Sequence, residues 1–179
     1  VFFPSYRLME DVYQVYQDEF SVSWVRCISQ HASMTELERE EFLNEFTEES
    51  EETLVGFCVM GGIFSEGIDL KEERLIGAII IGTGLPQVNP EQEILKEYFD
   101  EQGEGGFDYA YQYPGMNKVM QAAGRVIRTV NDKGVIALLD DRFLLPEYVA
   151  LFPREWERYT VVNRFNVKQA VDDFWGQFV

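Results

Sequence analysis

The chain has 179 residues, 46% of them hydrophobic and 15% aromatic, with a formal net charge of -17 and two cysteines. That apolar mass supports one substantial core, so a single domain over residues 1–179 is expected, while two thiols exclude a disulfide framework or a four-cysteine cluster within it. The acidity argues against tight nonspecific binding to nucleic acid, and no apolar run approaches the roughly 18 to 20 residues that span a bilayer.

In chain order, the first apolar run is residues 1–3, within Val1-Phe-Phe-Pro-Ser-Tyr6. That opening lacks the basic lead-in and small-residue cleavage site of a signal peptide. A chain that starts inside a strand-like run is expected to be a segment of a longer polypeptide. Residues 6–20 place Leu8, Val12, Val15, Tyr16 and Phe20 at helical spacing. A second strand is expected at 24–28, then a helix carrying Leu37, Phe42, Leu43 and Phe46, capped by Ser33 or Thr35. Further strands are expected at 54–60, 75–81 and 135–139. Short continuous apolar runs suit strands covered on both faces, and their alternation with helices predicts an α/β fold with a mostly parallel sheet. Residues 87–113 break this rhythm as an acidic insertion, and residues 167–178 form a terminal helix docking Val171, Phe174 and Trp175. Cys27 and Cys58 lie inside apolar runs and read as buried thiols in a reducing cytoplasm. His31 stands alone, with no second histidine to share a metal.

Two segments carry chemistry. The loop Gly61-Gly-Ile-Phe-Ser-Glu-Gly-Ile-Asp-Leu70 follows a strand, where open parallel sheets place ligand-contacting loops. Its glycines, Gly67 included, free the backbone for close approach, Ser65 and Glu66 offer polar contacts, and Asp69 can accept from ribose hydroxyls. Taken alone, the loop reads first as a tight structural turn. The second segment, Gln121-Ala-Ala-Gly-Arg-Val-Ile-Arg128, is expected to be helical. Gln121, Arg125 and Arg128 then share a face, with Val119, Met120, Val126 and Ile127 on the buried side. Two guanidinium forks one turn apart match phosphate oxygens, and Gly124 removes a side chain where a ligand or another backbone would approach. The competing reading is a salt-bridged helix face. No Gly-x-x-x-x-Gly-Lys-Ser/Thr occurs, so a nucleotide site here is a half-site. Asp140-Asp141 at a strand end is a poor magnesium pair, because adjacent strand residues point to opposite faces.

Phe2-Phe-Pro-Ser-Tyr6, Gly62-Ile-Phe-Ser-Glu-Gly-Ile-Asp69 and Gln121-Ala-Ala-Gly-Arg-Val-Ile-Arg128 resemble motifs IV, V and VI of superfamily 2 DNA helicases of the DinG/XPD type. Asp132-Lys-Gly-Val-Ile-Ala-Leu-Leu-Asp-Asp-Arg-Phe143 is similar to that family's following strand, so the resemblance covers nearly the whole chain. It implies a RecA-like, P-loop-NTPase-type three-layer sandwich, the second of two motor domains. ATP and Mg²⁺ would be shared with an N-terminal RecA-like domain of the same polypeptide, and the expected track is single-stranded DNA, moving 5′ to 3′. The resemblance makes Arg128 the arginine finger, Arg125 a second phosphate contact and Gln121 a coupling residue. It places Glu66, Gly67, Asp69 and Gly124 beside the nucleotide and Ser5, Tyr6 and Ser65 on the strand. Tyr6, Tyr111 and Tyr113 are either stacking platforms or packing. The cysteines for an iron–sulfur cluster, common in this family, are absent here, and this segment alone is expected to be inactive. The alternative is a helicase-derived module whose acidic insertion docks a protein partner.

Overall fold

The computed structural model describes residues 1–47, 52–62, 64, 75–127 and 132–178. They fall into two compact units, Val1–Phe143 and Leu144–Val179. The first unit is built on a five-stranded sheet in the order β2-β3-β1-β4-β5. Its strands are β1 (Phe2–Phe3), β2 (Val25–Ser29), β3 (Thr53–Val59), β4 (Gly77–Ile81) and β5 (Val135–Leu139). Every pairing is parallel, so all carboxyl-terminal strand ends lie along one edge.

Register assigns the faces. Phe2 pairs with Cys58 and Ile80, and Phe3 with Val59. Side chains alternate along a strand, so Phe2, Cys58 and Ile80 share one face and Phe3, Val59 and Phe57 the other. Helix α1 (Tyr6–Val15) covers the Phe3 face, where Phe3, Met9, Phe57 and Val59 pack with Tyr13, Tyr16 and Cys27. Helix α2 (Glu36–Asn44) covers the opposite face: a methyl on Gly56 would lie 2.7 Å from the Phe46 ring and 3.4 Å from that of Phe42. Right-handed crossovers require this split, because β1 to β2 runs one way across the sheet and the later connections run the other. The result is three layers, with helices on both faces as the sequence pattern predicts.

The strands lie within two residues of the expected runs. Coverage is uneven, however: Ile79 and Leu139, on the Phe3 face beyond α1, are 41% and 51% exposed. Continuous apolar character therefore overstates burial at the β4–β5 end. The expected helix over residues 6–20 is α1 followed by a wider π turn, Tyr16–Phe20. Thr35, not Ser33, caps α2.

Residues 87–113 are mostly helical. Asn89 caps α3 (Pro90–Glu101), accepting from Gln92 N at 3.0 Å, with Pro90 in its first turn. A π turn at Asp108–Gln112 leads into α4 (Tyr113–Ala123). It ends two residues before Pro114, which cannot donate to the preceding turn, and a widened turn accommodates that loss. Ala110, Tyr111 and Gln112 are buried, so the end of this segment joins the core, while its α3 has no buried residue.

In the second unit α5 (Pro146–Val149) is followed by the ring cluster Phe152, Trp156 and Tyr159, with edge contacts of 5.4 and 5.7 Å. Helix α6 (Val167–Trp175) closes the chain, with Phe174 edge-on to Trp175 and Phe178. Among the described residues no helix is long and apolar enough to cross a membrane.

Candidate functional site

Several elements converge at the carboxyl-terminal edge of the sheet. β1 ends at Phe3, whose carbonyl accepts from Met60 N at 2.8 Å. Ser5 then caps α1, its hydroxyl oxygen accepting from Leu8 N at 3.3 Å. The next residue, Tyr6, is half-buried and accepts a 2.8 Å hydrogen bond from the Gln30 side-chain amide. Gln30 follows β2, is only 2% exposed, and accepts from Val59 N at 2.9 Å through its other amide atom. Its own N–H reaches Phe57 O at 2.8 Å. The ends of β1, β2 and β3 are thus tied through one buried side chain, which sequence reasoning missed. A polar residue directly after an apolar strand run was its only sequence signal.

The glycine loop leaves β3 at this point. Gly61 has φ +69°, a left-handed conformation that glycine adopts without a Cβ clash. A methyl on Gly61 would meet the Lys118 side chain at 3.2 Å, and one on Gly62 would lie 3.3 Å from Gln30 Nε2. Lys118 belongs to α4, so the start of the loop and the helix leading toward Gln121 are side by side. Phe64 is 1% exposed, with its ring 4.5 Å from that of Phe42. Ser65, Glu66, Gly67 and Asp69 lie outside the described residues, as does Arg128.

The second motif departs from its expected shape. α4 ends at Ala123, and Gly124 is its C-cap, donating to Met120 O at 2.8 Å. Residues 124–126 continue as turns, with Arg125 N donating to Ala122 O at 3.3 Å and Val126 N to Ala123 O at 3.1 Å. One continuous helical face through Gln121 and Arg125 is therefore not formed, because glycine is a poor interior helix residue and a good terminator. Among the described residues, a methyl on Gly124 would meet the Met120 and Gln121 carbonyls within 4 Å. Within this chain Gly124 ends the helix. Of the expected buried side, Val119 and Val126 are 0% and 2% exposed and Met120 is intermediate, but Ile127 is 42% exposed. Gln121 is exposed and Arg125 half-buried at the end of the same helix.

Other candidates resolve differently. Tyr111 is 4% exposed and donates its hydroxyl to Glu93, so it is packing and offers no stacking platform; Tyr113, at 36%, is more open. Asp140 follows the end of β5 and holds Arg142 through two bonds of 2.8 and 2.7 Å. That guanidinium holds the Asp140 carboxyl below its usual range. Among the described residues no group of three His, Cys, Asp or Glu is arranged to hold a metal. Burial pushes the Cys58 thiol up to about 12 and raises that of Cys27, so both stay protonated and are poor ligands.

This is the sheet and edge architecture of a RecA-like domain, and residues 1–159 match the family described as the helicase C-terminal domain. The chain belongs to that family. It is 31% identical over 160 residues to the ATP-dependent DNA helicase CHL1 of Debaryomyces hansenii, covering 80% of this chain and 19% of the relative. It is 27% identical over 194 residues to a probable ATP-dependent helicase of Methanocaldococcus jannaschii, covering 99% of this chain and 29% of the relative. The chain thus spans less than a third of either protein. A solved XPD helicase superposes with a TM-score of 0.63 at 23% identity, covering 83% of this chain and 26% of that one. The fold is accordingly RecA-like, as in XPD helicase.

Proposed function

We propose that this domain is the second motor domain of an ATP-dependent DNA helicase that moves 5′ to 3′ along single-stranded DNA. The observation that carries the reading is the closeness of Lys118 of α4 to Gly61, where an added methyl would lie 3.2 Å from the lysine side chain. It brings the helix leading to Gln121, Arg125 and Arg128 beside the loop leading to Ser65, Glu66, Gly67 and Asp69. Membership of the helicase C-terminal domain family supports it.

In this reading ATP sits between this domain and an N-terminal RecA-like domain of the same polypeptide. Glu66, Gly67, Asp69 and Gly124 line the nucleotide's near side. Arg125 and Arg128 meet the phosphate tail, and Arg128, as the arginine finger, offsets charge that develops during phosphoryl transfer. Gln121 couples the nucleotide to the opposing domain. Cleft closure and release then advance the protein along the strand, with Ser5, Tyr6 and Ser65 on the DNA. Mg²⁺ would be shared with the N-terminal domain, where it would neutralise charge on the phosphates.

The test is Arg128→Ala in the full-length protein. DNA-stimulated ATP turnover should fall on the order of 10³-fold or more, with an unchanged thermal melt. Wild-type turnover in that variant would overturn the assignment, as would vigorous hydrolysis by the isolated domain.

A further inference from the structure

The buried amide of Gln30 faces two partners of unequal chemistry. One is the Val59 backbone N–H, which can only donate, so the amide oxygen must face it at 2.9 Å. The amide nitrogen is then forced toward Tyr6, 2.8 Å away. An amide nitrogen only donates, so the Tyr6 oxygen must accept. Among the described residues the Tyr6 hydroxyl donates to no acceptor. Its proton is therefore left for a group beyond the described residues.

From this chain of donors we infer that Gln30 is a positioning residue that fixes the polarity of Tyr6, holding its phenol as a hydrogen-bond donor toward an anionic oxygen such as a DNA phosphate. The inference rests on the proposed strand contact of Tyr6. It adds why a glutamine stands at position 30. An apolar residue would leave the Val59 N–H unpaired in the interior, and a glutamate would accept from both sides. With an ionised carboxylate in place of the amide, Tyr6 would turn its proton inward and lose it for phosphate. Gly62 lies over the same amide, so the end of β3 and the start of α1 share this device.

The experiment is a double-mutant cycle in the full-length protein, read by fluorescence anisotropy of a labelled oligothymidylate. Tyr6→Phe should weaken binding roughly tenfold, the usual effect of losing a hydrogen bond to a charged group. Gln30→Glu should weaken it comparably, and Gln30→Met by less, since methionine frees the phenol without capturing its proton. The double variant Gln30→Glu/Tyr6→Phe should bind no worse than Tyr6→Phe alone, because no proton remains to divert. An additive loss would show that the new carboxylate simply repels DNA and would overturn the inference. So would unchanged affinity in a Gln30→Glu protein whose melt shows it is folded. Failure of the wild-type protein to bind the oligonucleotide would instead sink the strand-binding reading, and this inference with it.

Discussion

Gly84 and Gly115 meet backbone to backbone. A methyl on Gly84 would lie 2.8 Å from the Gly115 carbonyl oxygen, and a methyl on Gly115 would lie 2.5 Å from the Thr83 carbonyl oxygen. The pair locks α4 against the chain leaving β4. It therefore fixes where the helix that leads to Gln121 and Arg125 stands on the sheet. Neither obstacle is a flexible side-chain tip, so neither can swing aside. Gly115→Ala should destabilise the domain by about 1–3 kcal/mol, the usual range for overpacking, and lower Tm by several degrees. Gly84→Ala adds backbone strain, since its φ is +66°, and should cost at least as much. Thermal melts of the two variants check both; a Gly115→Ala melt matching wild type would mean the two backbones are not in contact.

How far the sequence discloses this arrangement depends on the kind of signal. Strands are legible because their apolar runs are short and continuous, so β5 falls on residues 135–139 as expected. Their burial is less legible: Ile79 has the same character as Ile80, yet one is 41% exposed and the other fully buried. Which neighbour covers a face is a tertiary fact. Gly124 signals the end of α4, but three- and four-residue spacing through Arg128 outweighs it when the sequence is read alone. Spacing marks a shared face only while the helix lasts. The aromatic residues of 107–113 are ambiguous for a different reason, since stacking platforms and core rings use the same side chains. Gln30 leaves only a faint mark in the sequence, a polar residue after an apolar run, because its meaning lies in partners 24 and 29 residues away.

The amino end of α2 carries a reciprocal cap whose loss has two separable effects. Thr35 Oγ1 accepts from Glu38 N at 3.3 Å, and the Glu38 carboxylate accepts from Thr35 N at 2.7 Å. Thr35→Ala should cost about 1 kcal/mol, as for other N-cap losses. The backbone bond from Thr35, then its hydroxyl, lowers the Glu38 pKa below 4.5. A depressed carboxylate contributes stability above its unfolded pKa and loses it as pH falls through the folded value. Asp140 behaves alike, mainly through Arg142, from its ordinary 3.8. Denaturant midpoints measured from pH 7 down to 3 should therefore hold until about 4.5 and then decline. The decline should be shallower in Glu38→Gln, whereas Thr35→Ala, which keeps the backbone bond, should retain most of the slope. A Glu38→Gln slope equal to wild type would refute the assignment.

Tyr111 and Glu93 join the π turn to α3, and the bond has an alkaline signature. The phenol donates to a carboxylate, so ionising it would destroy that bond and set two anions together; the Tyr111 pKa is pushed up to about 12. A group raised on folding keeps its contribution below its unfolded value of 10.0 and loses it as pH rises through the folded one. Absorbance titration at 295 nm should show Tyr111 among the last of the nine tyrosines to ionise while the protein remains folded. Tyr111→Phe should remove one step from the high-pH end and leave the ordinary phenols unchanged. Loss of a step near pH 10 instead would place Tyr111 in solvent, against its 4% exposure.

The loop after β4 holds a group whose removal should help. Thr83 is 1% exposed, and its hydroxyl oxygen has no hydrogen-bond partner among the described residues. A buried hydroxyl without a partner carries an uncompensated desolvation cost of about 1–3 kcal/mol, and valine has nearly its shape without the polar atom. Thr83→Val should therefore raise stability by about 1 kcal/mol, or roughly 2–4 °C in Tm for a chain this long. Most substitutions in a packed site do the opposite, which makes the sign decisive. Position 83 also follows the carboxyl end of β4 on the edge that carries Tyr6, Gly61 and Lys118. A loss of stability in the isolated domain would mean that the hydroxyl already has a partner there. A gain in stability together with weaker DNA or nucleotide binding in the full-length protein would mean that the partner is the ligand.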